Sequence, residues 1–418
     1  MNTSETVELT GHLIDTGQLS RILDDIGEYG GRFTIDRFDV GHAATDESHA
    51  VLTVSAADSS ELARLLMRLQ THGVNLVHPG EATIREVTQD GVFPEDFYST
   101  TNLDTTVRIG SKWIEVEQPE MDCGLLVWDD SGRTRARTIP VSEVKLGDRV
   151  VCGASGVRVR PVSPPTTGPT AGQVFEFMQS DVSSEKPQAL LVRQIAEQMR
   201  AVEDAGERIL WVCGPAVVHT GAAPAMVALV RAGYVDVLFG GNAIATHDIE
   251  AALYGTSLGV DLARGRGVEH GHEHHIRAIN RIRACGSIRA AVDQGVLTGG
   301  VMHALVTADK DFVLVGSPRD DGPLPDVYTD VIEGQRAMRA ALPDVGFAIM
   351  VATMLHSVAT GNLLPASVPL VCVDINPATV TKLADRGSSQ ARGVVTDVGL
   401  FLEQLALELV PDYRSARF

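Results

Sequence analysis

Cysteine is scarce and scattered in this chain. There are five among 418 residues, Cys123, Cys152, Cys213, Cys285 and Cys372, with no CxxC pair. An odd number of distant thiols does not make a disulfide framework and points to a reducing compartment. Long apolar runs are missing too: none reaches the roughly 18 to 20 residues that a membrane span needs. The N-terminus, MNTSETVELTGHLID, lacks the basic region and apolar core of a secretory signal. A cytoplasmic protein is expected. Basic charge is in deficit, with 35 Lys and Arg against 54 Asp and Glu, a net charge of −19. Such a surface repels nucleic acid and anionic membranes, though a local basic pocket for an anionic cofactor remains compatible with it. GxGxxG is absent as well, which excludes the ordinary dinucleotide fingerprint.

What is present is a long globular chain. Its hydrophobic fraction is 44%, and its length exceeds one ordinary core, so two or three domains are expected. Residues 1–92 read as an α+β module. ETVELTGHLI alternates apolar and polar residues as a half-buried strand does. GQLSRILDDIGEYGG has helical spacing through Leu19, Ile22, Leu23 and Ile26 and stops at Gly30 and Gly31. Two strands, RFTIDRFDVGH and HAVLTVSA, follow. A helix over SSELARLLMRLQTHG comes next, capped by Ser59 or Ser60, and VNLV is a last strand. The order β-α-β-β-α-β is the split βαβ of ferredoxin-like modules, which bind small molecules or dimerise. Residues 93–165 are short strands divided by Gly, Asp and Pro, a small β-subdomain. PVSPPTTGPTA, 161–171, reads as a linker.

From about 174 to 418, near-continuous apolar strands alternate with helices, as in a parallel sheet covered on both faces. Helices are expected over 186–205, 222–232, 274–295, 328–341, from Met354, and over 377–386. The fold class is therefore α/β. Ligands of such sheets bind where strands end, and the polar Gly-rich turns at those points carry the chemistry. The first turn holds His219 and Thr220; the second holds Asn242, His247, Asp248 and Glu250. VPLVCVDINPATV ends a strand in Asp374, an acid suited to a ribose diol or to capping the next helix. FAIMVATMLHS turns from a strand into a helix at Thr353 to His356, offering free N–H groups to a pyrophosphate. TDVG, 396–399, is a third such strand end. In GSPRDDGPLPD, Asp320 or Asp321 can bind a substrate ammonium or act as a general base, and Arg319 can pair with a carboxylate.

Other signals are weaker. Four histidines, His270, His272, His274 and His275, fall within six positions. Histidine is a common metal ligand, but no second ligand cluster accompanies the run, so no metal is expected. GTSLG, 255–259, has the letters of a nucleophile elbow around Ser257. An elbow needs a strand before it, and here a helical stretch precedes. Cys213 at a strand end is more simply a small buried hydrophobe.

GPAVVHTG (214–221), GGNAIATHDIE (240–250), YGTSLGVD (254–261), GHEHHIRAIN (271–280) and SPRDDGPLPD (317–326) resemble the archaeal-type ornithine cyclodeaminases. The same unit forms the C-terminal half of cyanobacterial arginine dihydrolase fusions. FYSTTNLDTTVRI (97–109) and EMDCG (120–124) are similar to the region named after lysine-ketoglutarate reductase/saccharopine dehydrogenase (LOR/SDH). The resemblance implies a Rossmann-like domain of the deoxyhypusine-synthase kind and an NAD-bound enzyme that converts L-ornithine to L-proline and ammonia by redox-neutral hydride transfer. By motif position it places NAD contacts on Asn242, Ala243, Asp321, Thr353, Met354, Leu355, His356, Asp374, Asp397 and Val398. Candidate acid–base residues are Asp248, His247 and Asp320, with no choice between them. The expected partners are the amino-acid substrate and further copies of the chain, in a homo-oligomer. Arginine dihydrolase activity is not implied, since it belongs to a separate domain of the fusions. An NAD-dependent amino-acid dehydrogenase and an NAD- or amino-acid-sensing regulator are the competing possibilities.

Overall fold

The computed structural model describes residues 3–14, 17–41, 46–160, 188–258, 260–261, 273–320, 322–385 and 391–415. The chain divides into two compact units, Met1–Asp181 with Asn362–Ser367, and Val182–Gly361 with Val368–Phe418.

The first unit opens with β1 (Thr3–Gly11), helix Gln18–Glu28, β2 (Arg32–Asp39), β3 (Ser48–Ala56), helix Ser59–Gln70 and β4 (Asn75–Leu76). The sheet order is β2-β3-β1-β4, with antiparallel pairs throughout, as the split βαβ pattern predicts. β3 buries every second residue, and the two helices cover that face through Ile22, Ile26, Leu62, Leu65 and Leu69. The cap of the second helix is Asp58, one residue before the expected serines; its carboxylate accepts the N–H groups of Ser60 and Glu61, both at 2.9 Å.

A second sheet follows, of β5 (Thr83–Glu86), β6 (Asp104–Ile109), β7 (Lys112–Glu117), β8 (Gly124–Asp130), β9 (Arg133–Ile139), β10 (Arg149–Cys152) and β11 (Val157–Arg160). Its order is β11-β6-β7-β9-β8-β10-β5. β5 lies before residue 92 yet pairs with β10. The two sheets are also tied by polar bonds: Gln70 donates to Val157 O at 3.0 Å, and Asn75 bonds both Val159 O and Val159 N at 2.7 Å. These ties make one compact unit of the two expected modules. The linker 161–171 lies outside the described residues.

The second unit is built on β12 (Arg208–Cys213), β13 (Val237–Gly240), β14 (Thr256–Ser257), β15 (Val260–Asp261), β16 (Asp311–Val315), β17 (Val327–Tyr328), β18 (Val345–Val351), β19 (Leu370–Asp374) and β20 (Ala391–Val395). Seven of these form a sheet of order β17-β16-β13-β12-β18-β19-β20, parallel at every pairing. β19 is buried at all five positions and β12 at all but its first, as expected of strands covered on both faces. The helix expected over 274–295 is two, His274–Cys285 and Ile288–Asp293. Gly286 takes φ 96° between them, and Ser287 caps the second through Ala290 N–H. A further helix, Val301–Thr307, was not expected. Among the described residues no helix is long and apolar enough to cross a membrane.

Candidate functional site

Strand order reverses between β12 and β18, and the crevice beyond the carboxyl ends of such strands is where open α/β sheets hold ligands. Gly214, just after β12, donates its N–H to Val351 O at 2.9 Å. A Cβ at 214 would overlap the carbonyl oxygen of Ala352, so only glycine lets the two turns pass this closely. Ala352 itself takes φ 51°, a region L side chains rarely adopt. That bend leads through Thr353 into helix Leu355–Leu363, whose first N–H groups lack intrahelical partners and suit an anion. One strand over, β19 ends in the buried Asp374. Its Oδ1 accepts Asn376 N–H at 2.8 Å, and its Oδ2 has no partner among the described residues. Exposed Leu355 and Ile375 supply apolar surface beside these groups. Ser357 Oγ and Thr360 Oγ1, on the same helix, are buried with no partner among the described residues.

On the other side of β12, the turn after β13 opens helix Asn242–Tyr254. Gly241 lies against the ring of His356, whose Nε2 is 3.3 Å from Val315 O. Burial lowers the His356 pKa, so its ring is neutral at pH 7. Asn242 Oδ1 accepts Leu324 N–H at 3.0 Å and Thr246 Oγ–H at 3.3 Å. The helix then buries three titratable groups in four positions, His247, Asp248 and Glu250.

Glu250 is the centre of a polar cluster. Its Oε1 accepts Thr256 Oγ–H at 2.9 Å, and its Oε2 meets His247 Nδ1 at 2.9 Å and Leu258 N–H at 3.2 Å. Thr256 Oγ1 also contacts His274 Nδ1 at 2.8 Å. The rings of His219 and His247 lie 4.8 Å apart, and that of His275 is 6.4 Å from His247. His219 Nδ1 is 2.6 Å from Ser257 Oγ. Burial lowers the His219 pKa, and His247 adds to the effect. Asp248 points elsewhere: its two oxygens accept Val301 and Met302 N–H at 2.8 Å each, closing the N-terminus of helix Val301–Thr307. Desolvation pushes its pKa up to about 6, against the pull of those two bonds.

Three comparisons bear on this arrangement. The family described as arginine dihydrolase ArgZ-like, C-terminal, Rossmann fold matches residues 193–405. Its first region matches 104–192, and the LOR/SDH conserved region matches 4–103. An ornithine cyclodeaminase of Methanothermobacter thermautotrophicus is 54% identical over 98% of both chains. The chain belongs to the archaeal-type ornithine cyclodeaminase family. Among solved structures, apo ArgZ, an arginine dihydrolase from cyanobacteria, superposes with a TM-score of 0.85 at 38% identity, covering 99% of this chain and 59% of ArgZ. AgrE, the bifunctional arginine dihydrolase/ornithine cyclodeaminase of Nostoc, is 42% identical over 97% of this chain and 58% of its own length. A ternary complex of AgrE with ornithine and NAD+ matches at a TM-score of 0.53 and 40% identity, covering 99% of this chain and 59% of that one. The chain thus spans somewhat over half of each cyanobacterial protein.

In this cyclodeaminase-family chain the expected site residues fall into three groups. Thr353, Met354, Leu355, His356 and Asp374 stand at the ends of the neighbouring strands β18 and β19. Asp397 follows β20, caps the last helix through Leu400 N–H at 2.8 Å and stays exposed, while Val398 is buried. Asn242 and Ala243 open the helix after β13; Asp320 ends the turn after β16, its carboxylate accepting Ser317 N–H at 2.8 Å and Ser317 Oγ–H at 3.4 Å. Asp321, His270 and His272 lie outside the described residues. Arg319 is exposed. Ser257 follows a helix, as its sequence context implies, and is buried. Among the described residues no group of three or more His, Cys, Asp and Glu side chains is placed to hold a metal. Sequence reasoning missed the partners Ser257, Thr256 and His274 and the central place of Glu250. The sequence singled out His219 and Glu250 as members of polar turns, but they lie on helices, His219 at the end of Ala216–His219 and Glu250 within Asn242–Tyr254.

Proposed function

We propose that this chain is an NAD-dependent ornithine cyclodeaminase, taking L-ornithine to L-proline and ammonia with no net change in the cofactor. The observation that carries the reading is the switch-point geometry, an acid at the end of β19 and a helix N-terminus after the neighbouring β18, in a chain similar end to end to a named ornithine cyclodeaminase. When bound, NAD supplies a two-electron acceptor and donor at the substrate Cα. Asp374 Oδ2 would accept a hydrogen bond from a ribose diol, and the N–H groups from Thr353 to His356 would be available to a pyrophosphate. Asn242, Ala243, Asp321, Asp397 and Val398 complete the proposed cofactor contacts.

His247 is the group we assign to proton transfer. Glu250 holds its Nδ1, which fixes the ring and leaves Nε2 as the reactive nitrogen. Asp248 and Asp320 are poorer choices, because their carboxylates already accept backbone N–H groups. His219, kept neutral by burial, adds no positive charge beside the cationic imines that the reaction passes through. Ring closure by the tethered δ-amine is intramolecular and strongly favoured by proximity. Incubation with ornithine should give proline and ammonia in equal amounts, with no lasting rise in NADH absorbance. Steady accumulation of NADH, or of an open-chain keto acid, would instead mark a simple dehydrogenase.

A further inference from the structure

Among the described residues, β2 is an unpaired edge of the four-stranded sheet in the first unit. It is exposed at every position except the half-buried Phe38, and Phe33 and Ile35 are each more than two-fifths exposed. A row of open N–H and C=O groups on such an edge is a template for another strand. A bulge interrupts β2: Ile35 pairs with Leu52 but Arg37 with Val51, so Asp36 is the extra residue. Phe33, Ile35 and Phe38 stand opposite Val54, Leu52 and Ala50, on the helix-covered face. Arg32, Thr34, Arg37 and Asp39 stand opposite Ser55, Thr53, Val51 and His49, on the other face.

We propose that β2 pairs with β2 of a second copy, antiparallel about a two-fold axis, joining two four-stranded sheets into one. One register uses all eight residues. Arg32 lies opposite the partner's Asp39, Phe33 opposite the partner's Phe38 and Thr34 opposite the partner's Arg37, while Ile35 and Asp36 straddle the axis. In a straight strand this register would oppose residues of different faces. The bulge shifts the phase by one, so the outer pairs share a face, and only the bulge residue Asp36, on the side of Thr53, meets Ile35 across the axis. The contact is isologous, and each pair occurs twice. It places two ion pairs at the ends and two aromatic pairs inside, with no like charges directly opposite. Within the protomer, Asp39 already meets Arg37 at 2.7 Å on the surface, and Asp36 accepts Thr53 Oγ–H at 2.6 Å. The partner's Arg32 would join Asp39 from the open side.

The test is the mass of the full chain in solution, by light scattering at micromolar concentration, with far-UV circular dichroism to confirm folding. The wild type should contain an even number of chains. Arg32→Asp and Asp39→Arg should each halve the mass, by setting like charges opposite at both ends. The double variant R32D/D39R should restore it, because the swapped charges again face each other across the axis. Phe33→Ser, at an exposed position, should also halve it and serves if either charge variant fails to fold. A single-chain wild type, a mass unmoved by these substitutions, or a double variant that stays dissociated overturns the proposal.

Discussion

β3 and β19 are both short apolar strands, but they live in different solvents. β3, in the first unit, alternates buried and half-buried residues; β19, in the second, is buried throughout. Some of the two units' ion pairs differ in the same way. In the first, ion pairs such as Arg37–Asp39 and Arg135–Glu117 lie at the surface, each side chain more than two-fifths exposed. In the second, the side chain of Glu250 is fully buried and that of His247 nearly so. Surface pairs gain little over water, whereas a buried polar group must be held by partners or lose heavily. The chemistry is therefore expected where the burial is two-sided and the polar groups are nonetheless satisfied.

Glu250→Ala breaks the contrast most severely. It strands His247, Thr256 and Leu258 N–H at once. A loss of about 3–5 kcal/mol in unfolding free energy is expected, with cyclodeaminase activity abolished. Arg135→Ala, at an exposed ion pair of the first unit away from β2, should leave the melting temperature nearly unchanged. Equal losses in the two variants would erase the distinction drawn between the units.

Asp248 sharpens the contrast through pH. Its folded pKa, about 6, lies above the ordinary carboxyl value, so between pH 4 and 6 the folded state binds more protons than the unfolded state. Its contribution to stability is then greatest below pH 4 and falls as pH rises to 6, by roughly 3 kcal/mol. Urea unfolding should show this fall in the wild type and lose it in Asp248→Asn. A slope unaltered by the substitution would assign it to other groups.

Gly214→Ala should cost about 1–3 kcal/mol, as overpacking does, and weaken NAD binding by prising β12 from β18. An alanine variant with native stability and affinity would mean that the close approach to Ala352 relaxes freely. Asp374→Asn is the mildest change, since an amide oxygen can still accept Asn376 N–H. NAD affinity should fall by about 1–3 kcal/mol with little change in melting temperature. Calorimetry that finds wild-type affinity would remove Asp374 from the cofactor site.

The contrast between the units also explains what was legible in the sequence. Period-two alternation announced the ferredoxin-like order, and uninterrupted apolar runs announced the parallel sheet, because both follow from local burial. Strand-end residues such as Thr353 and Asp374 were legible for the same reason. Bonds between distant residues were not. Asp248 closes a helix 53 residues away, and Asn242 receives Leu324 N–H across 82 residues, so neither partner leaves a mark near the other. The helix expected over 274–295 is broken at Gly286, whose left-handed φ ends one helix before Ser287 begins the next. β5 was not among the expected strands, because its partner β10 is more than sixty residues further on.

The central claim is that electrons taken from the substrate Cα return to the same carbon within one closed site. Ornithine deuterated at Cα tests it directly, in ordinary water with the purified protein. The account predicts proline that keeps the deuterium at its α-carbon, formed together with ammonia in equal amount. Proline that has lost the label to solvent, or label accumulating in free reduced cofactor, would contradict it.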